Sequence, residues 1–333
     1  MKTVAFFNNK GGVGKTSLVF HLAWMLNEMG HKVVVCDLDP QANVTTFFLG
    51  EDRAAELLET GHGVRTIYHA FLPLLEGVGD LAEIDAEIMT EGLTLIPGDL
   101  ALSGAESELS TQWGNCLSSE EPTKKKAFRT ICGFHRAIVT VAHKQNATIA
   151  LIDVGPNLGP LNRAALVASD HVVIPLGSDA FSLQGLKNVG KTLTTWREDW
   201  AEKKKRAPKG LGFEAPEGAM EPIGYVISRF SMRSGRPARA YLNWAAEMPA
   251  AYREFVLRHV GVDESCRDPH QDPNCLAELK DYRSLMPMAQ DAIKPIFNLK
   301  AADGAIGAHQ AGVIEARKNF RALADKIIDR LRL

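Results

Sequence analysis

The ten residues from Asn8 to Ser17 (Asn-Asn-Lys-Gly-Gly-Val-Gly-Lys-Thr-Ser) limit what this chain can become more than any other stretch. They follow Thr3-Val4-Ala5-Phe6-Phe7, an apolar run that reads as a buried strand. They precede Leu18, Val19, Leu22, Ala23, Leu26 and Met29, which share one face at helical spacing before the stop at Gly30. A glycine loop between a strand and a helix is built to wrap phosphate. Gly11, Gly12 and Gly14, with Val13 between them, let backbone N–H groups curl round an anion without Cβ clashes. The helix N-terminus adds its positive end at the same point. In this setting Lys15 is expected to reach the β- and γ-phosphates and the Thr16 hydroxyl to ligate Mg²⁺. Ser17 is placed for the α-phosphate.

Acidic residues sit where that loop needs them. Lys32-Val33-Val34-Val35-Cys36-Asp37 reads as a second buried strand running into Asp37-Leu38-Asp39-Pro40-Gln41-Ala42-Asn43-Val44-Thr45. Ligands of open α/β sheets bind at the carboxyl ends of strands, and Pro40 turns the chain there. Thr148-Ile149-Ala150-Leu151-Ile152-Asp153 is a hydrophobic strand ending in a carboxylate, the pattern that holds a water of the Mg²⁺ shell. His171-Val172-Val173-Ile174-Pro175 and Ile223 to Phe230 read as further strands, and Ser182 to Trp200 as a helix covering them. Strands alternating with helices predict a doubly wound, mostly parallel α/β sheet.

The loop departs from the common phosphate-loop pattern. Asn9 occupies the first glycine position, and an extra lysine, Lys10, opens the loop. This Lys-Gly-Gly-x-Gly-Lys-Thr form resembles the deviant Walker A loop of the ParA/MinD ATPases. The Asp-x-Asp-Pro-Gln-x-Asn-x-Thr run resembles the second signature of the ParA branch. Val154-Gly155-Pro156-Asn157-Leu158-Gly159 resembles the family's switch, with Gly155 in place of its first proline, which implies a looser switch. The resemblance spans about 1–110, 125–232 and 283–333.

What it implies is specific. ATP and Mg²⁺ are the ligands, and the ATP-bound chain forms a homodimer in which Lys10 reaches the partner's nucleotide. Lys10, Lys15 and Asp39 carry catalysis, with Asp39 orienting the attacking water and Asp37 tying down its loop. Thr16, Asp39 and Asp153 hold the metal, the carboxylates through water. Ser228 stands where the family's adenine-contacting asparagine would be. Hydrolysis is slow until an activator resembling ParB completes the site. The function expected is DNA or plasmid partition on non-specific DNA; the alternative is an ATP-gated scaffold or signalling switch that recruits a partner without binding DNA itself.

The rest of the chain qualifies this expectation. A net charge of −2 excludes a globally basic nucleic-acid protein but not a local basic face. Two clusters offer one: Lys203, Lys204, Lys205, Arg206 and Lys209, and Arg229, Arg233, Arg236 and Arg239. A charge run at a helix end is by itself a solvated face, so DNA contact here leans on the resemblance. No apolar run approaches a membrane span, and a strand beginning at residue 3 leaves no room for a signal peptide. The five scattered cysteines fit reduced thiols in the cytoplasm, near the nucleoid if DNA is bound. Cys116 reads as a surface thiol and Cys132 as a core one. His259, Cys266, His270 and Cys275 lack the close cysteine pair of a zinc site and read as unconnected. The amphipathic stretch from Val313 to Leu331 reads as core packing rather than a membrane anchor. The expected organisation is one domain over 1–333, with a surface excursion at about 110–123, a long helix from Lys124 to Gln145, and a helical insertion at about 237–282.

Overall fold

The central strands are runs of six residues buried at every position, β2 (Val33–Leu38) and β5 (Ile149–Val154), as a sheet covered on both faces requires. The computed structural model describes residues 1–59, 65–177, 179–230, 232–233, 236–237, 243–259 and 268–333. Helices alternate with the strands: β1 (Lys2–Phe6), α1 (Lys15–Glu28), β2, α2 (Asn43–Leu49), α3 (Glu51–Glu59), α4 (Ile67–Glu76), β3 (Glu87–Thr90) and β4 (Leu93–Ile96). Then come α5 (Glu106–Asn115), α6 (Glu121–Ile131), α7 (Gly133–Gln145), β5, α8 (Pro160–Val167), β6 (His171–Gly177), α9 (Ala180–Lys204) and β7 (Glu221–Phe230). A two-stranded ribbon, β8 (Met232–Arg233) with β9 (Arg236–Pro237), leads to α10 (Met248–Ala251), β10 (Cys275–Lys280), α11 (Leu285–Asp291) and α12 (Ala308–Leu331).

The main sheet has the order β10-β7-β6-β1-β5-β2-β4-β3, parallel throughout except for β3 against β4. β1 therefore delivers its glycine loop to the middle of the sheet, with β5 beside it and β2 next. In register, Phe6 faces Asp153 and Asp153 faces Asp37. Separate apolar cores cover the two faces; one is built around Phe71, Phe128, Phe134 and Trp200, the other around Leu22, Phe48, Phe297 and Phe320.

Three expectations change. Residues 110–123, expected as a surface excursion, are mostly exposed but include the buried Gln112, Trp113 and Cys116 on and after α5. Cys116 is accordingly a core thiol. The helix expected from Lys124 to Gln145 is two helices, broken at Cys132–Gly133. Gly133 lies so close to Phe71 that a Cβ there would overlap the ring. The stretch 237–282 is not wholly helical: Cys275–Lys280 adds β10 to the sheet edge, burying Leu276 and Leu279 in the core.

Candidate functional site

The loop after β1 takes the left-handed backbone its glycines permit, with φ of 74° at Gly12 and 82° at Gly14, the N-cap of α1. Lys15 is almost fully buried. Its Nζ donates to the carbonyls of Asn8 (3.3 Å) and Lys10 (3.4 Å), so the side chain arches back over the loop. Burial lowers its pKa, while the charges of Asp153 and Asp39 oppose that shift.

The carboxylates gather around this cation. Asp37, fully buried, accepts from Thr45 N (2.9 Å), Thr45 Oγ1 (2.7 Å) and Asp39 N (3.2 Å). These bonds fasten the loop after β2 to the start of α2; burial nevertheless raises the Asp37 pKa to about 7. Asp39 accepts from Gln41 N at 3.0 Å. A Cβ at Gly155 would stand 3.3 Å from Asp39 Oδ1, so the absent side chain leaves room for that carboxylate.

Asp153 is the anomaly. Both its oxygens are buried without a hydrogen bond of regular geometry among the described residues, although the nearby Thr16 hydroxyl favours its charged form. Burial first, and then Asp37 and Asp39, push its pKa well up. An orphaned carboxylate beside a hydroxyl is what a hydrated dication would satisfy. No cluster of three His, Cys, Asp or Glu with ligating geometry occurs among the described residues, so such an ion would rely on Thr16, phosphate oxygens and water. The Thr16, Asp39 and Asp153 donor set fits Mg²⁺ held in that way.

Lys10 does not point outward. Its Nζ is ion-paired with Asp179, the N-cap of α9, 5.9 Å from the centre of the Phe181 ring. Asp179 also accepts from Phe181 N (2.9 Å) and Ser182 N (3.2 Å). An aspartate two residues before Phe181 is a legible helix cap. Nothing in the sequence ties it to a lysine 169 positions away.

Ser17, expected at the α-phosphate, faces the base side of the site. Its hydroxyl faces His21 Nδ1 (3.4 Å) and Met286 Sδ (3.7 Å). Ser228 Oγ is buried without a partner among the described residues and lines a recess with Gly14, Ser17, Leu279, Tyr282 and Phe320. The β10 end and the α11 start supply walls that the sequence did not reveal.

Of the first basic cluster, four residues have partners within the fold. Lys203 is turned inward, 7% exposed and 4.8 Å over the Trp113 ring, which corrects its reading as a DNA contact. Lys204 pairs with Glu217 (2.5 Å), and Lys205 and Arg206 pair with Glu202 (3.3 and 3.4 Å). Arg239, Cys266 and the side chains of Arg229, Arg233 and Arg236 lie outside the described residues. Among those residues no helix is long and apolar enough to cross a membrane.

The sequence model of a family described as an AAA domain matches residues 1–205. The chain is 33% identical over 192 residues to the sporulation initiation inhibitor protein Soj of Bacillus subtilis, a match covering 58% of this chain and 64% of that one. Less than two thirds of that relative's length is therefore represented here. The fold is similar to protein DIP2308 from Corynebacterium diphtheriae (TM-score 0.73, 22% identity, 99% of each chain). It is also similar to an ATP complex of a Cyanothece McdA variant (TM-score 0.57, 18% identity, 98% of this chain and 96% of that one).

Proposed function

This chain belongs to the ParA/Soj/MinD family of AAA-domain ATPases, and we propose that it is an ATP-gated dimeric switch of the partition or cargo-positioning kind. The observation that carries this reading is the convergence of buried Lys15, the glycine loop and the orphaned Asp153 at one point of the sheet. The loop N–H groups and the α1 N-terminus bind the phosphates. Lys15 stabilises negative charge on the β- and γ-oxygens as the terminal bond breaks. Asp39, fixed in its turn by the Gln41 amide, positions the water that attacks the γ-phosphorus. Thr16 and Asp153 would hold Mg²⁺, which when bound neutralises charge across the β- and γ-oxygens. The base would enter the recess beside Ser228, where the unsatisfied hydroxyl has a partner to gain.

Lys10 makes the site a switch. In the monomer it serves Asp179; in an ATP dimer it would leave that partner for the phosphates bound by the second copy. ATP then binds one state better than the other, which is what gating requires. Hydrolysis removes the γ-phosphate and with it the contact. We expect slow turnover until an activator resembling ParB acts on the dimer.

Two readings of the output differ in DNA affinity. Partition on DNA needs available cations; among the described residues Lys203 is turned inward, whereas Lys204, Lys205 and Arg206 sit in solvent-screened pairs that DNA phosphates can displace, so DNA affinity decides between partition and a partner-recruiting switch without intrinsic DNA binding. Steady-state ATP turnover of wild type, Lys15→Ala and Asp39→Ala, followed by co-sedimentation with non-specific DNA at low and high salt, tests both levels. Turnover surviving either substitution contradicts the site. ATP-dependent, salt-sensitive DNA retention supports partition, and an ATP dimer indifferent to DNA supports the partner-recruiting switch.

A further inference from the structure

We propose that the segment Met248–Val256, inside the stretch that departs from the family pattern, is coupled to the nucleotide and reports its state. The proposal rests on the nucleotide site described above. α9 is the connecting part. At its N-terminal end Asp179 holds Lys10, and Gly185 lies against the phosphate loop, where a Cβ would stand 3.3 Å from Asn8 Oδ1 and 3.4 Å from Asn9 Oδ1. Five residues on, about 7.5 Å along the axis and about 140° round it, Gly190 meets the segment. The contact there is backbone to backbone: a Cβ on Gly190 would overlap the carbonyl of Phe255. Lys187 Nζ lies 4.6 Å over the Phe255 ring beside it. α9 is therefore gripped between the phosphate loop and this segment, with no side chain at Gly190 to cushion movement.

The other side of the segment is fixed to the sheet edge. Tyr252, fully buried in a π-helical turn, packs on Tyr225 of β7 with centroids 5.2 Å apart. Arg253 reaches Asp272 at 3.4 Å, and the same carboxylate accepts from the Tyr225 hydroxyl at 2.8 Å. β7 carries Ser228, and the chain leaving β10 carries Tyr282 of the base recess. One segment thus touches the helix that holds Lys10 and the strand that carries the base-side hydroxyl. When Lys10 leaves Asp179 the first turn of α9 loses its ion pair. A helix moves as a stiff element, so the displacement meets the Gly190 contact directly.

Hydrogen exchange on the full chain, with and without ATP plus Mg²⁺, tests this. We expect amides of 248–257 to change exchange rate by roughly two- to fivefold on ATP binding, the scale of one solvent-screened ion pair. In Gly190→Ala the same peptide should exchange faster without nucleotide and lose its response to ATP, while protection of residues 8–17 by ATP persists. ATP protection of 8–17 with no change at 248–257 in wild type overturns the proposal and leaves the nucleotide site standing. No protection at 8–17 overturns both. The wild-type comparison decides even if Gly190→Ala does not fold.

Discussion

Replacing Asp179 by serine should tighten the proposed ATP dimer. Asp179 has two separable jobs: it pairs with Lys10 and it caps α9 through the Phe181 and Ser182 amides. Serine is also a good N-cap, so Asp179→Ser keeps much of the second job while removing the first. The two side chains are 28% and 44% exposed, so solvent screens the pair and its worth is about 0.2–1 kcal/mol rather than a buried-pair value. A symmetric dimer must release two such pairs, so removing both should raise dimer affinity roughly 2- to 30-fold. Sedimentation equilibrium with a slowly hydrolysed ATP analogue reads this directly. Asp179→Ala separates the effects, since it should tighten the dimer similarly but cost about 1 kcal/mol of stability through the lost cap. A serine variant that dimerises no better than wild type would refute the idea that Lys10 must be released before the dimer can form.

Three further outcomes are expected. Gly133→Ala should destabilise the chain by about 1–3 kcal/mol through overpacking against Phe71, whose ring stacks on Phe134 with centroids 4.7 Å apart; thermal unfolding will show it. His21, fully buried and stacked on Phe320, has its pKa lowered to about 4 by burial. A depressed pKa means that the unfolded chain binds the proton more readily, so the stability present above about pH 6.5 is lost as pH falls towards 4, by about 3 kcal/mol. Urea titrations of His21→Leu against wild type at both pH values should show that dependence removed. Ser228→Ala should gain about 1 kcal/mol of stability by deleting an unsatisfied buried hydroxyl, while weakening ATP binding measured by calorimetry.

The parts of the site that are local in sequence were legible from it. The phosphate loop, Asp39 and Asp153 each follow an apolar strand, and strand ends converge in a parallel sheet whatever the length of chain between them. The partner of Lys10 was not legible, because Asp179 reads only as a cap. The polar majority of residues 110–123 faces outward and hid the inward-facing Gln112, Trp113 and Cys116. Cys275–Lys280 is short and charged, and became a strand only because β7 offered an open parallel edge. The packing of Phe71, 62 residues earlier, against the bare backbone of Gly133 is recorded by no helical periodicity.

Nucleotide state is proposed to control dimerisation through Lys10. Sedimentation velocity of wild type and Lys10→Ala with ATP plus Mg²⁺, with ADP and without nucleotide tests it most directly. The expected result is a dimer for wild type with ATP only, and a monomer for Lys10→Ala in all three conditions although it still binds ATP. A Lys10→Ala chain that dimerises with ATP as wild type does would contradict it.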